Sequence, residues 1–150
     1  MRKVFVVVSA LSLASFALQF VFAAVGAFTK PAGDGAYALH SLNGMAIIPV
    51  LTLLTVLFAV LAKAPGRLVG LAVLPLGLVV VQALLAALAN GSTDAAGTST
   101  PFGLTIAGLH AVNGIVAVHV VVNVLRGARQ LARPEQAETT PVTVREAEPA

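Results

Sequence analysis

Four stretches of this chain carry no formal charge and are each long enough to cross a bilayer: Val4 to Phe28, Leu39 to Ala62, Leu68 to Ala89, and Phe102 to Leu125. A membrane-spanning α-helix needs ~20 consecutive apolar residues, and these four runs occupy most of the 150 residues. Only 10% of the chain is charged, against about 25% in soluble domains. The expected fold is therefore all-α: an integral membrane four-helix bundle over residues 1–133, followed by a polar tail, 134–150, expected to be disordered. A soluble catalytic module has no room.

Lysines and arginines set the orientation, because cytoplasmic loops hold their excess. Arg2, Lys3, Lys63, Arg67, Arg126, Arg129, Arg133 and Arg145 fall on one side of a four-pass topology, and Lys30 alone falls on the other. Both termini are thus expected in the cytoplasm of a bacterial plasma-membrane protein, with loops 29–38 and 90–101 facing outward. The basic balance follows from topology and implies no nucleic-acid partner. The chain has no cysteine, which excludes disulfides, thiolate zinc sites and iron–sulfur clusters. No aspartate or glutamate lies inside a span, so a carboxylate proton relay or an all-carboxylate metal site has no residues to use.

The chain also repeats itself. The second and fourth runs both open on the pattern L-H-x-x-N-G, as Leu39, His40, Asn43 and Gly44 and as Leu109, His110, Asn113 and Gly114. The first and third runs each carry one glutamine followed by paired alanines: Gln19 with Ala23 and Ala24, Gln82 with Ala86 and Ala87. Met1, Arg2 and Lys3 ahead of an apolar stretch resemble a secretory signal, but that run is longer than a signal core and its second half recurs in the third. The protein reads as two copies of one helical hairpin, related by a pseudo-twofold axis along the membrane normal. Short connections then favour an up-down-up-down arrangement. Ala10, Ala14, Ala17, Gly70 and Gly77 are the small residues expected to allow close helix approach. Pro49 is expected to kink the second span, Asp34 to cap it, and Thr100 to cap the fourth ahead of Pro101. The loop 91–100 is flexible in composition, and beyond Leu125 the fourth helix is expected to run along the membrane surface until Pro134 stops it.

In that arrangement spans two and four stand diagonally, and neighbouring axes ~8 to 10 Å apart give a diagonal of ~11 to 14 Å. Polar side chains inside a span usually face the bundle interior. His40 and His110, both near the outer end, suit the two axial positions of one b-type haem. Gly44 and Gly114, one turn below, would leave space for the flat macrocycle; Asn43 and Asn113 would hold the ligands or bond a neighbouring helix. Gln19 and Gln82 have two readings, donors to a propionate, quinone carbonyl or imidazole, and interhelical bonds. Tyr37 and Lys30 stand where propionates would meet them, or serve as interface anchors. His119 follows His110 by nine residues, half a turn out of phase, which suits a dimer contact or a snorkelling pair with Asn123.

The two histidines are level only under one register. Gln19, Gln82 and His110 lie 15 or 16 residues from Lys3, Arg67 and Arg126, about 23 Å at 1.5 Å per residue. His40 lies 23 residues from Lys63, as does His110 from Arg133. The pair is level if Lys63 matches Arg133.

This plan resembles a group of small bacterial four-helix membrane proteins of unknown function, with a histidine near the start of spans two and four. It also resembles one half of the haem A synthase family, whose two four-helix bundles each carry a histidine pair on their second and fourth helices. The resemblance implies haem bound by His40 and His110. The synthase pattern places arginine after its first histidine, where this chain has Ser41, and glutamate one turn earlier, where it has Ala36, so oxidation of a haem methyl group is not implied. Three functions remain open on these residues: a small b-type cytochrome for electron transfer or haem handling, a cofactor-free accessory subunit with an internal His/Asn/Gln network, and a carrier of a quinone or other apolar ligand. Beyond the lipid bilayer, a redox partner and a second copy of the chain are the partners considered.

Overall fold

A computed structural model describes residues 1–31, 33 and 35–133. The expected cap at Asp34 and the tail 134–150 lie outside the described residues. The described chain is all-helical apart from a single bridge between Thr93 and Ser99. Four helices are long and apolar enough to span a membrane: α1 (Arg2–Phe28), α2 (Ala38–Leu61), α3 (Gly66–Asn90) and α4 (Pro101–Ala132). Each packs against its sequence neighbours, and α4 closes the ring against α1. The result is the up-down-up-down bundle of two hairpins that the repeat demands.

Helix ends follow from local chemistry. The Thr100 hydroxyl accepts from the Gly103 amide at 3.1 Å, and Pro101 occupies the first helical position, where its missing N–H costs nothing. At the turn between α2 and α3, the Ala64 amide reaches back to the Ala59 carbonyl and the Lys63 amide to that of Val60. This six-to-one and five-to-two pair closes the helix only if residue 63 is left-handed, and Lys63 has φ 56°. The loop 91–100, flexible in composition, is closed by hydrogen bonds of its own. Asp94 accepts from the amides of Ala96 and Thr98, and Gly97 takes a positive φ of 77°.

Pro49 acts upstream of itself. A proline cannot donate to the carbonyl four residues back and crowds it; α2 widens into π-helix over Asn43–Ile47 immediately before returning to α-helix at Ile48. Such bulges are often found at functional sites, and this one begins three residues after His40.

The core has two layers. At the end rich in lysine and arginine, Phe5 packs among Ala59, Ala62, Ala72, Val124 and Ala128. Above it, Phe16, Ile48, Ala117 and Val121 form a second cluster. The close approaches are thus made by Ser9, Ser12, Ala59, Ala62, Ala72, Ala117 and Ala128. Four of the small residues named from sequence have other surroundings: Ala14 and Ala17 are exposed, and Gly70 and Gly77 have nothing beside the place of a Cβ. They occupy outward faces, which an apolar helix does not distinguish from inward ones by composition. The end of α4 also differs from expectation. Instead of lying along the membrane surface it continues into the bundle, burying Ala128, so Arg133 and not Arg126 is the counterpart of Lys63.

Candidate functional site

Each hairpin builds the same polar unit from its own two helices. In the first, Gln19 Nε2 donates to the His40 carbonyl at 2.9 Å, and Gln19 Oε1 accepts from Asn43 Nδ2 at 2.7 Å. Asn43 Nδ2 also donates to the Ser15 carbonyl at 2.9 Å. In the second, Gln82 Nε2 donates to the His110 carbonyl at 2.9 Å, while Asn113 Nδ2 bonds Gln82 Oε1 and, at 2.9 Å, the Leu78 carbonyl. The spacing i, i+3 brings histidine and asparagine to one helix face, and the glutamine of the preceding helix bridges them. Both glutamines therefore make the interhelical bonds that were one of their two readings. Both asparagines bond the neighbouring helix.

The histidine rings are held by main chain. His40 Nδ1 lies 3.1 Å from the Gln19 carbonyl oxygen, and His110 Nδ1 lies 3.1 Å from that of Gln82. A carbonyl only accepts, so Nδ1 carries the proton in both rings, and the lone pair is left on Nε2. This is the arrangement that fixes tautomer and orientation in metal-binding histidines. Nothing in the sequence shows it, because the acceptors are backbone atoms.

The two rings face each other across the diagonal of the bundle. Their centroids are 6.3 Å apart, with planes inclined by 45°. They line one cavity of about 350 Å³, within the usual range for small-molecule sites, whose floor is formed by Phe16, Ile48 and Ala117. Two imidazoles bound on opposite sides of one metal ion, with bonds of about 2 Å, have centroids about 6 Å apart. The observed centroid separation is close to that value. Among the described residues no group of three or more histidines or carboxylates stands ready for a bare metal ion.

Gly44 and Gly114 both line the cavity, but their close neighbours differ. A Cβ on Gly44 would stand 2.7 Å from Gln19 Nε2; one on Gly114 would meet Phe20 at 3.4 Å and Gln82 Nε2 at 3.6 Å. What Gly44 makes room for is the Gln19 amide. Tyr37 lies edge-on to His40, with centroids 6.2 Å apart, and its ring occupies the space a Cβ on Gly26 would need. Lys30 is exposed and does not line the cavity. His119 also lies outside the cavity, exposed on α4, where its carbonyl accepts from Asn123 Nδ2 at 3.1 Å. Sequence reasoning missed Ser15, whose hydroxyl donates to Asn43 Oδ1 at 2.7 Å.

Residues 19–90, just under half of the chain, match the model of a family of unknown function, DUF6220. The matched stretch begins at Gln19 and takes in His40, Asn43, Gly44 and Gln82; His110 lies beyond it. No curated protein and no solved structure matches the chain.

Proposed function

We propose that this membrane protein is a small b-type cytochrome, holding one haem between α2 and α4 for electron transfer or haem handling. The observation that carries the reading is the pair of imidazoles 6.3 Å apart, each with its Nδ1 turned to a carbonyl. His40 and His110 would hold the haem through Nε2, and the Gln19 and Gln82 carbonyls orient the two rings. Gln19, Asn43, Gln82 and Asn113 hold each ligand-bearing helix against its neighbour. When bound, the haem supplies a one-electron couple, and filling both axial positions leaves none free for oxygen. The distribution of lysine and arginine supports a multi-pass orientation with both termini cytoplasmic and the histidine pair near the outer face.

A second reading, a cofactor-free accessory subunit, draws on a separate observation: no buried side-chain nitrogen or oxygen among the described residues lacks a hydrogen-bond partner, so the buried glutamine and asparagine groups are satisfied by the protein itself. The visible spectrum of the detergent-purified protein, expressed with ample haem and recorded with and without dithionite, separates the two. The cytochrome shows a sharp α-band on reduction that disappears in His40→Ala and in His110→Ala and persists in His119→Ala. A colourless wild type, or a band indifferent to His40 and His110, overturns the haem reading.

A further inference from the structure

The repeat is symmetric in its polar atoms and asymmetric in its bulk. Carrying Gln19 onto Gln82 and His40 onto His110 pairs Phe16 with Val79, Phe20 with Ala83, Tyr37 with Ala107, and Ser41 with Ala111. Three aromatic side chains of the first hairpin thus have a valine or an alanine as counterpart in the second, and the equivalent seams differ in bulk.

The consequence is clearest where helices from different hairpins meet. Between α1 and α4, the Phe20 ring fills the seam: its Cζ stands 3.4 Å from the place a Cβ on Gly114 would occupy. Between α2 and α3, Ala83 is the counterpart of Phe20, and the three atoms nearest the corresponding place on Gly44 all belong to Gln19 of α1. The outer part of α2, Ala38–Ile47, packs against α1, and only the part from Ile48 onward packs firmly against α3 as well. Met45 and Ser41 line the cavity from this side, yet both are exposed, Met45 at 70%. Here the cavity wall is alanine methyls on one helix and a hydroxyl and a flexible thioether on the other. The outer mouth, by contrast, carries Tyr37, braced on Gly26 and edge-on to His40.

We infer that the α2–α3 seam is a lateral portal through which a flat, lipid-dissolved ligand reaches the histidine pair from the bilayer. The ligand named, haem, rests on the function proposed above; the portal rests on the seam itself. An apolar macrocycle partitions into lipid, and the seam lies within the membrane-spanning stretch, so the route avoids water. Met45 is the side chain that must swing aside.

The test is the rate at which haem-free protein in liposomes acquires its bis-histidine spectrum when haem is supplied dissolved in the lipid. Ala83→Phe, which copies Phe20 into the open seam, slows loading at least ten-fold; Phe20→Ala does not slow it. A double variant, Met45→Cys with Ala83→Cys, joined across the seam by a short thiol-cleavable cross-linker, is blocked and regains its rate on cleavage, which controls for damage to the fold. Loading at the wild-type rate in the Ala83→Phe and cross-linked proteins overturns the portal. A wild type that never takes haem overturns the cytochrome reading instead. The portal is then read with a lipid-dissolved apolar fluorophore, whose uptake the cross-link must block if the inference holds.

Discussion

Replacing Gly44 by alanine separates the two hairpins more sharply than any other change at their polar units. In a helix interior, glycine to alanine stabilises by about 0.8 to 1 kcal/mol. At residue 44 the new methyl group would stand 2.7 Å from Gln19 Nε2, too close for either group to stay. The amide is the flexible end of its side chain, but it is tethered by its donation to the His40 carbonyl and by the bond it accepts from Asn43. Moving it breaks both. Interhelical hydrogen bonds in membrane proteins are worth about 0.6 kcal/mol on average and up to about 1.7, so losing two outweighs the helix gain of about 0.8 to 1 kcal/mol and leaves a net destabilisation of about 0.2 to 2.6 kcal/mol. At Gly114 the nearest atoms are 3.4 and 3.6 Å away, ordinary contact distances, so Gly114→Ala is expected to be neutral or up to about 1 kcal/mol stabilising. Reversible unfolding of the haem-free proteins in mixed micelles, followed by far-ultraviolet circular dichroism, measures both. Gly44→Ala as stable as the wild type, or two glycine variants that shift together, would refute the argument that the Gln19 amide is fixed by its two bonds.

Lys63 sits left-handed at φ 56°, a conformation costing a non-glycine residue about 1 to 2 kcal/mol; Lys63→Gly should raise the unfolding midpoint in the same assay. Ser15→Ala removes the hydroxyl bond to Asn43 Oδ1 and should cost about 0.6 to 1.7 kcal/mol. Ser9→Ala, whose hydroxyl only returns to the Phe5 carbonyl of its own helix, should stay within about 0.5 kcal/mol of wild type.

Much of this architecture is legible in the chain because lipid imposes few solutions. The uncharged runs give the four helices to within a few residues at most ends, and the recurring glutamine and L-H-x-x-N-G pattern gives the two hairpins. The one large error, the end of α4, has a definite cause. Arg126 reads as a boundary because charge marks the edge of hydrocarbon, yet Val124, Leu125 and Ala128 around it are buried in the bundle. Only the equality of the intervals from His40 to Lys63 and from His110 to Arg133 pointed to the right register. The histidine tether was out of reach for a different reason: the Gln19 and Gln82 carbonyls are backbone, and every residue has one. The glutamines stand out in the sequence by their side chains, whereas their main chain holds the rings.

The hairpins share a polar unit but are glued differently below it. In the first, Ser9, Ser12, Ser15, Thr52 and Thr55 are buried; their counterparts in the second are Ala72, Pro75, Leu78, Val122 and Leu125. The hydroxyls of Ser9, Thr52 and Thr55 return to carbonyls on their own helix, so what they contribute across the interface is small size. Ser15 alone reaches the other helix, at the asparagine that steadies His40. The outer half of α2 thus packs on α1, while its firm packing against α3 begins at Ile48. The serine-lined seam that seats the first histidine thus lies on the flank of α2 away from the proposed portal, so the portal and the histidine geometry draw on the same asymmetry between otherwise matched repeats.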